Sequence, residues 1–257
     1  MAKTTGKILE TITSEEFQKA LGHYNELVQR ADEPIAKPGQ KTLVELDTFR
    51  YEEAPSLFAL KKPSRPMRLD DVKTLVEWKL KHGKFRPTLM KLVSSNDESF
   101  VEGTIKNALD LYKKPSDTPA ALNVLTKLKG IGPATASLLL AVHDPDNVIF
   151  FSDEAFYWLC RDGKRESIKY NAKEYKELSE KARDLTSRLK VSAVDVERVA
   201  YVLMNNVGSE SPATELSKVV KKPVGGANTE PVLSKRKQSP VVDDAPILRR
   251  SKRGRQA

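Results

Sequence analysis

The sequence predicts an all-α fold, a multi-helix globular domain followed by a disordered basic C-terminal tail. Three observations carry that expectation. Apolar residues recur three and four apart in segment after segment, as the buried stripe of a helix requires. Ser and Thr residues stand ahead of such stripes with an acid three positions on, the signature of a capping box. No convincing run alternates apolar and polar residues as a half-buried strand would, and no internal repeat is present. With 257 residues, 39% of them hydrophobic and 31% charged, the chain falls in the soluble globular class and is long enough to bury a sizeable core.

Taken in order, residues 1–13 read as a flexible start. Thr13 and Glu16 form a capping box ahead of Phe17, Leu21, Tyr24, Leu27 and Val28, one helix that Pro34 and Pro38-Gly39 stop. Leu43, Val44 and Leu46 predict a short helix around Lys41–Phe49. Pro55, Pro63 and Pro66 mark 50–69 as an irregular connection crossing the surface. Asp70 or Asp71 then caps a stronger helix carrying Val72, Leu75, Val76, Trp78 and Leu80, with Gly83 at its stop. Lys84-Phe85-Arg86-Pro87 restarts the chain, and helix resumes over Thr88–Val93. Ser94-Ser95-Asn96-Asp97 breaks it, and Phe100, Ile105, Leu109 and Tyr112 give the next stripe. Beyond the stretch 119–160, Arg161–Tyr170 is a polar loop. Tyr175, Leu178, Ala182, Leu185 and Leu189 form a further stripe, and Ser192 with Asp195 opens the last one, on Val196, Val199, Val202 and Leu203. The globular domain is thus expected over 14–208, a short helix or linker over 209–220, and the tail over 221–257.

Composition excludes several classes. The lone cysteine, Cys160, rules out an intramolecular disulfide and a four-cysteine metal or iron–sulfur site, and it fits a reducing compartment. No apolar run reaches the ~18 residues of a membrane span, and the opening apolar segment is too short for a secretory signal. The net charge of +9 is distributed unevenly. Residues 221–257 hold ten Lys/Arg against three Asp/Glu, a balance of +7 that leaves +2 for residues 1–220. The high charge therefore says little about what the folded part binds. The tail is rich in Pro, Gly and Ser and poor in core formers, which predicts disorder. Its clusters Lys235-Arg236-Lys237 and Arg249-Arg250-Ser251-Lys252-Arg253 suit recognition by a nuclear import receptor or non-specific nucleic-acid contact, with a solvated tail that keeps the chain soluble as the competing reading.

The most informative stretch is LTKLKGIGPATASLLLAVHDPDNVIFFSDEAFYWL, from Leu125 to Leu159. Pro119 suits the first turn of a helix, and Leu122, Leu125 and Leu128 share one face of it. Gly130 and Gly132 supply freedom for a tight reversal, and Pro133 opens a second helix. The N-terminus of that helix presents free N–H groups at the positive end of a dipole, a natural partner for a phosphate oxygen. Lys127 and Lys129 add charge beside it, and such contacts position a duplex without reading its sequence. An ordinary two-helix corner is the competing reading.

Leu128, Gly130, Ile131, Gly132, Thr135 and Ala136 resemble the helix–hairpin–helix pattern L-x-G-[IV]-G-x-x-T-A. With Ser152-Asp153 opening a helix about twenty residues on and Phe156 three beyond it, residues 119–160 resemble the HhH-GPD superfamily of DNA glycosylases. The resemblance implies an HhH-GPD-like domain, DNA contacts from Lys127, Lys129, Gly130, Ile131, Gly132, Ala134 and Thr135, and a catalytic role for Asp153. A carboxylate there would stabilise oxocarbenium character on the sugar or activate water, once the base had turned out of the duplex. Trp78, Phe85, Tyr157 and Trp158 are the candidate lining of a base pocket, with core packing as the alternative. Asp153 equally fits a plain helix N-cap. Two departures narrow the chemistry. Ala134 stands where bifunctional members carry a nucleophilic lysine, which disfavours a lyase, and the loop before Asp153 (His143-Asp144-Pro145-Asp146) is acidic and not glycine-rich.

Trp78–Pro87, together with the hairpin and FFSDEAF, also resembles a eukaryotic, largely fungal set of uncharacterised proteins, from which no activity carries over. Its Lys79, Lys81, His82, Lys84 and Arg86 form either a second DNA-facing edge, led by Lys84 and Arg86, or a solvated helix face. His82 has only His23 and His143 as companions, without ligand spacing, so neither a metal nor another cofactor is expected. The leading expectation is a nuclear protein that binds duplex DNA non-specifically through phosphates, in DNA repair. The alternatives are a monofunctional glycosylase using Asp153 and a helical protein-interaction adaptor. No membrane partner is expected.

Overall fold

Thr13 opens the first described helix as its sequence dictates. Its hydroxyl accepts from the Glu16 N–H at 3.2 Å, and the Glu16 carboxylate accepts from the Thr13 N–H at 2.8 Å. The computed structural model describes residues 10–32 and 40–206. The expected flexible start (apart from residues 10–13), the linker, and the tail with Lys235, Arg236, Lys237, Arg249, Arg250, Lys252 and Arg253 lie outside these residues. Every regular element among the described residues is helical, so the chain is all-α there.

The predicted first helix is two, α1 (Ser14–Gly22) and α2 (Tyr24–Ala31). The N–H of His23 bonds the Ala20 carbonyl three residues back, tightening the turn so that Tyr24 and Val28 face the core. A second capping box, Thr42 with Glu45, opens α3 (Leu43–Thr48).

The connection expected over 50–69 starts instead as helix: a π-helical turn, Phe49–Glu53, leads into α4 (Ala54–Phe58). Pro55 falls in the first turn of α4, where no N–H is required, so it does not break the run. The segment is not a surface crossing either. Arg50, Ala54, Phe58 and Met67 are all buried, and Arg50 meets Glu197 at 3.3 Å.

The strong helix is α5 (Leu69–His82), and its N-cap is Arg68, not Asp70 or Asp71. Asp71 works from inside the first turn. Its carboxylate accepts from the Arg68 N–H at 2.9 Å and from both terminal nitrogens of Arg65 at 2.6 and 2.7 Å. Then follow α6 (Leu89–Ser94), α7 (Glu98–Leu111, capped by Asp97), α8 (Thr118–Leu125), α9 (Pro133–Ala141), α10 (Asp153–Cys160), α11 (Ala172–Leu189) and α12 (Ala193–Asn206).

The helix α9 is the axis of the packing. Every residue from Ala134 to Ala141 is buried, which explains why its sequence is apolar all round rather than on one stripe. It packs on α8 and α5, while α10 packs on α11 and α12, and α12 reaches back to α1. Burying a Leu such as Leu138, Leu139 or Leu140 contributes about 1.5–3 kcal/mol each.

His143, just past α9, is also interior at 6% exposure. Its Nδ1 lies 2.6 Å from the Phe58 carbonyl, which only accepts, so Nδ1 carries the proton and donates. Burial pushes its pKa down to about 4, against an ordinary value of 6.5. Between those values the unfolded chain binds a proton that the fold refuses. This contribution to stability is therefore complete above pH 6.5 and is lost as pH falls toward 4. Urea unfolding should show roughly 2 kcal/mol of it lost between pH 7 and pH 5. His143→Gln, which keeps a donor for Phe58, should remove that part of the pH dependence; an unchanged profile would refute the assignment.

Candidate nucleic-acid interface

After Leu125 three successive amides, of Thr126, Lys127 and Leu128, bond back to carbonyls three or four residues earlier, winding down α8 into the reversal. Gly130 sits at φ +79°, and a Cβ there would come within 3.0 Å of Leu92 Cβ and 3.2 Å of the Val93 backbone nitrogen. Backbone conformation and the close approach of α6 both demand glycine at this position. Gly132 differs from expectation. Its φ of −89° and ψ of 179° are open to any residue, and a Cβ would meet nothing within 4 Å. Its missing side chain leaves the start of α9 uncovered, and no side chain caps that helix. Lys127 and Lys129 are exposed on either side of Leu128, whereas the side chains of Ile131, Ala134 and Thr135 are buried. Those three therefore present no side chain to a ligand.

A residue read in the sequence merely as part of a break holds this turn in place. Asn96, 8% exposed, accepts from the Lys129 N–H at 2.8 Å through Oδ1. Its Nδ2 donates to the Lys129 carbonyl at 3.0 Å and to the Val93 carbonyl at 2.8 Å. The helix-breaking run Ser94–Asp97 was the available signal, but nothing local shows that its amide reaches a loop 33 positions on.

The same helix α9 also positions Asp153. Val148–Phe151 is buried and lies outside any helix, so its polar backbone needs partners elsewhere. Ser137 on α9, fully buried, accepts from the Phe151 N–H at 2.9 Å and donates to the Ala134 carbonyl at 2.9 Å. Tyr175 of α11 donates to the Ile149 carbonyl at 3.1 Å. The N-cap of α10 is Ser152, whose hydroxyl accepts from the Ala155 N–H at 3.0 Å. Asp153 is therefore the first helical residue and not the cap.

Freed from capping, Asp153 lines a cavity of about 230 Å³ between the C-terminal end of α5 and the start of α10. That is smaller than the usual small-molecule cleft of roughly 300–1,000 Å³, a space for one planar ring system. Asp153 Oδ1 accepts from the Tyr170 hydroxyl at 2.5 Å. Tyr170 has φ +52°, an uncommon conformation for a bulky side chain, and is held by its hydroxyl, by the Phe151 ring at 5.4 Å and by the Arg86 guanidinium 5.7 Å over its face. Lys79, His82, Lys84 and Arg86 line the same cavity, so most of the basic segment converges there, while Lys81 turns away to Glu77. Burial, then Arg86, lowers the pKa of Lys79, with Asp153 opposing; burial raises that of Glu154. His82 is pushed down to about 3, by burial and then by Arg50, and stays neutral.

Of the aromatic candidates, Tyr157 lines this cavity. Trp78 and Trp158 do not, since both are at 0% exposure within the core, where large rings recover the most apolar area. Phe85 points outward at 69% exposure, beside a separate groove with Leu80 and Met90. Among the described residues no three His, Cys, Asp or Glu side chains converge as a metal site requires, and no helix is long and apolar enough to cross a membrane. The chain matches no family model, no curated protein and no solved structure.

Asn96→Ala removes both contacts to Lys129 and leaves the part-buried N–H and carbonyl of that residue without this partner. It should destabilise the fold by about 1–3 kcal/mol and speed hydrogen exchange at the Lys129 amide beyond the global change. Chemical denaturation and exchange measured by NMR would check both; an unaltered Lys129 amide would dismiss the clamp.

Proposed function

We propose that this protein binds duplex DNA without sequence preference, through the backbone of the α8–α9 hairpin. The observation that carries the reading is the uncovered start of α9. It combines an uncapped helix end, a glycine with open space before it and two exposed lysines beside it. An anion satisfies the first-turn amides and the dipole together. The basic rim of the Asp153 cavity supports the same reading. Lys84 and Arg86 lie just before α6, and Leu92 and Val93 of α6 approach Gly130 of the hairpin, so one short helix links the two basic regions. The basic clusters of the tail fit a nuclear protein.

Binding should be equal for unrelated duplex sequences and fall steeply with salt. Lys127→Ala combined with Lys129→Ala should weaken it uniformly and reduce the slope of log K against log salt by about two. Fluorescence anisotropy across a salt series measures this, and an unchanged slope would remove the hairpin from the interface.

One observation favours a second reading, a monofunctional DNA glycosylase of HhH-GPD-like fold. Asp153 is spared the capping role and faces a cavity sized for one ring system, with a hydroxyl orienting its carboxylate. An everted base would lie in that cavity, against Tyr157, and the carboxylate would meet the positive charge developing on its sugar. Asp153→Asn should lower base release from damaged duplexes by at least about a hundredfold while leaving DNA affinity nearly intact. Equal release by the two proteins across a panel of lesions would exclude Asp153 from catalysis.

A further inference from the structure

His82 brings to the Asp153 cavity a hydrogen-bonding atom that neither phosphate contact nor base removal employs. A chain of core hydrogen bonds fixes which of its ring nitrogens carries the proton. The Tyr24 hydroxyl donates to Asp47 Oδ1 at 2.8 Å, where the Trp78 N–H also donates at 2.9 Å. Its hydrogen spent, the Tyr24 oxygen accepts, and His82 Nε2 lies 3.0 Å from it. Nε2 therefore holds a proton. The ring takes no second one near neutrality, because burial and then Arg50 push its pKa down to about 3. Nδ1 is left as a bare lone pair, an acceptor only. The ring is stacked on Trp78 and Tyr201, at 4.6 and 4.1 Å between centres, which holds this arrangement in place. Among the described residues Nδ1 has no hydrogen-bond partner, and it is not sealed in the interior as His143 Nε2 is. His82 is half-buried and lines the cavity, so this open acceptor belongs to its wall.

We propose that the cavity selects a flat heteroaromatic ring bearing an amino group, as adenine and cytosine do, with His82 Nδ1 accepting one amino hydrogen. The ring comes from a free nucleoside or from an unpaired base in DNA, and only the second source rests on the DNA-binding reading. Size and walls favour a flat ring, since the cavity encloses about 230 Å³ and Tyr157 and Tyr170 supply aromatic faces. The amino group follows from the acceptors. Glu154, in the first turn of α10, lines the same cavity, and among the described residues its carboxyl finds no side chain within hydrogen-bonding or ion-pairing distance. An amino group has two hydrogens to give, and it accepts nothing, because its lone pair is shared with the ring. The cations of the wall, Lys84 and Arg86 among them, suit the ring nitrogen that lies beside the amino group in both bases. A carbonyl in place of the amine would set lone pair against lone pair at Nδ1 and leave that acceptor covered but unmet. His82 is then a specificity-determining residue that acts without charge.

The test uses pairs that differ by amine for carbonyl, with affinities measured by calorimetry on the full chain. One arm compares adenosine with inosine and cytidine with uridine. The other compares duplexes alike except for one unpaired adenine or hypoxanthine, or one unpaired cytosine or uracil. In at least one arm the amino member should bind at least about tenfold tighter. Discrimination in the duplexes assigns the ring to DNA, and discrimination confined to nucleosides assigns it to a free ligand. In nitrogen-15 spectra of the imidazoles, His82 should be neutral with its proton on Nε2. Its Nδ1 signal should move with the amino ligand and hardly with the carbonyl partner. His82→Phe, which keeps a ring against Trp78 and Tyr201, should bring each pair within about twofold. Should that variant fail to fold, the Nδ1 signal decides. Equal binding within every pair, a preference for carbonyl, a proton on Nδ1, or discrimination that survives in folded His82→Phe would overturn the assignment. Duplex binding without discrimination would leave the DNA-binding reading standing alone. Nucleoside discrimination without duplex binding would remove that reading and keep this one.

Discussion

A buried stretch of chain outside any helix must find hydrogen-bond partners one group at a time. Val148–Phe151 is such a stretch, and the hydroxyl of Ser137 answers the Phe151 amide. That single side chain ties the hairpin's second helix to the segment that ends at Asp153. With Tyr175 bonding the Ile149 carbonyl and Ser152 capping α10, the start of α10 is held from three directions. The hairpin and the cavity are consequently one mechanical unit, built on α9.

A polar network inside the core sets the other wall. Asp47 accepts from Trp78 Nε1 at 2.9 Å and from the Tyr24 hydroxyl at 2.8 Å. The Tyr24 hydrogen being committed there, its oxygen accepts from His82 Nε2 at 3.0 Å. The His82 ring lies between Trp78 and Tyr201, at 4.6 and 4.1 Å between ring centres. Arg50 pairs with Glu197 through one terminal nitrogen and stands over the rings of Tyr51 and Trp78, while its Nε and other terminal nitrogen are buried without a hydrogen-bond partner. Burying such a network costs less the more of its groups are partnered. Here it locks the last turn of α5 against α12, and that turn carries Lys79 and His82 to the cavity.

What was legible in advance is local. The boxes at Thr13 and Ser192, the reversal at Gly130 and the apolar helix behind Pro133 follow from residues within a few positions of one another, and the helical character of the chain follows with them. The errors are also local in origin. Pro55 reads as a breaker unless its place in a first turn is known, and Asp70 or Asp71 reads as a cap unless the carboxylate of Asp71 is seen reaching back to the Arg68 amide. Trp78 and Trp158 carry the same pattern whether they line a pocket or fill a core. Only the layers packed over them make the distinction.

The sequence by itself determined the helices, the hairpin and the chemical types available along 79–86 and at 153, because spacing and capping act over one or two turns. Tertiary structure alone decided which of those groups meet. Asn96 reaches Lys129, Tyr170 reaches Asp153, and Lys79 shares a cavity with a carboxylate 74 residues away. These pairings depend on where α5, α9 and α10 come to rest against a common core. That is settled by the summed burial of many apolar side chains, and no short stretch of sequence records it.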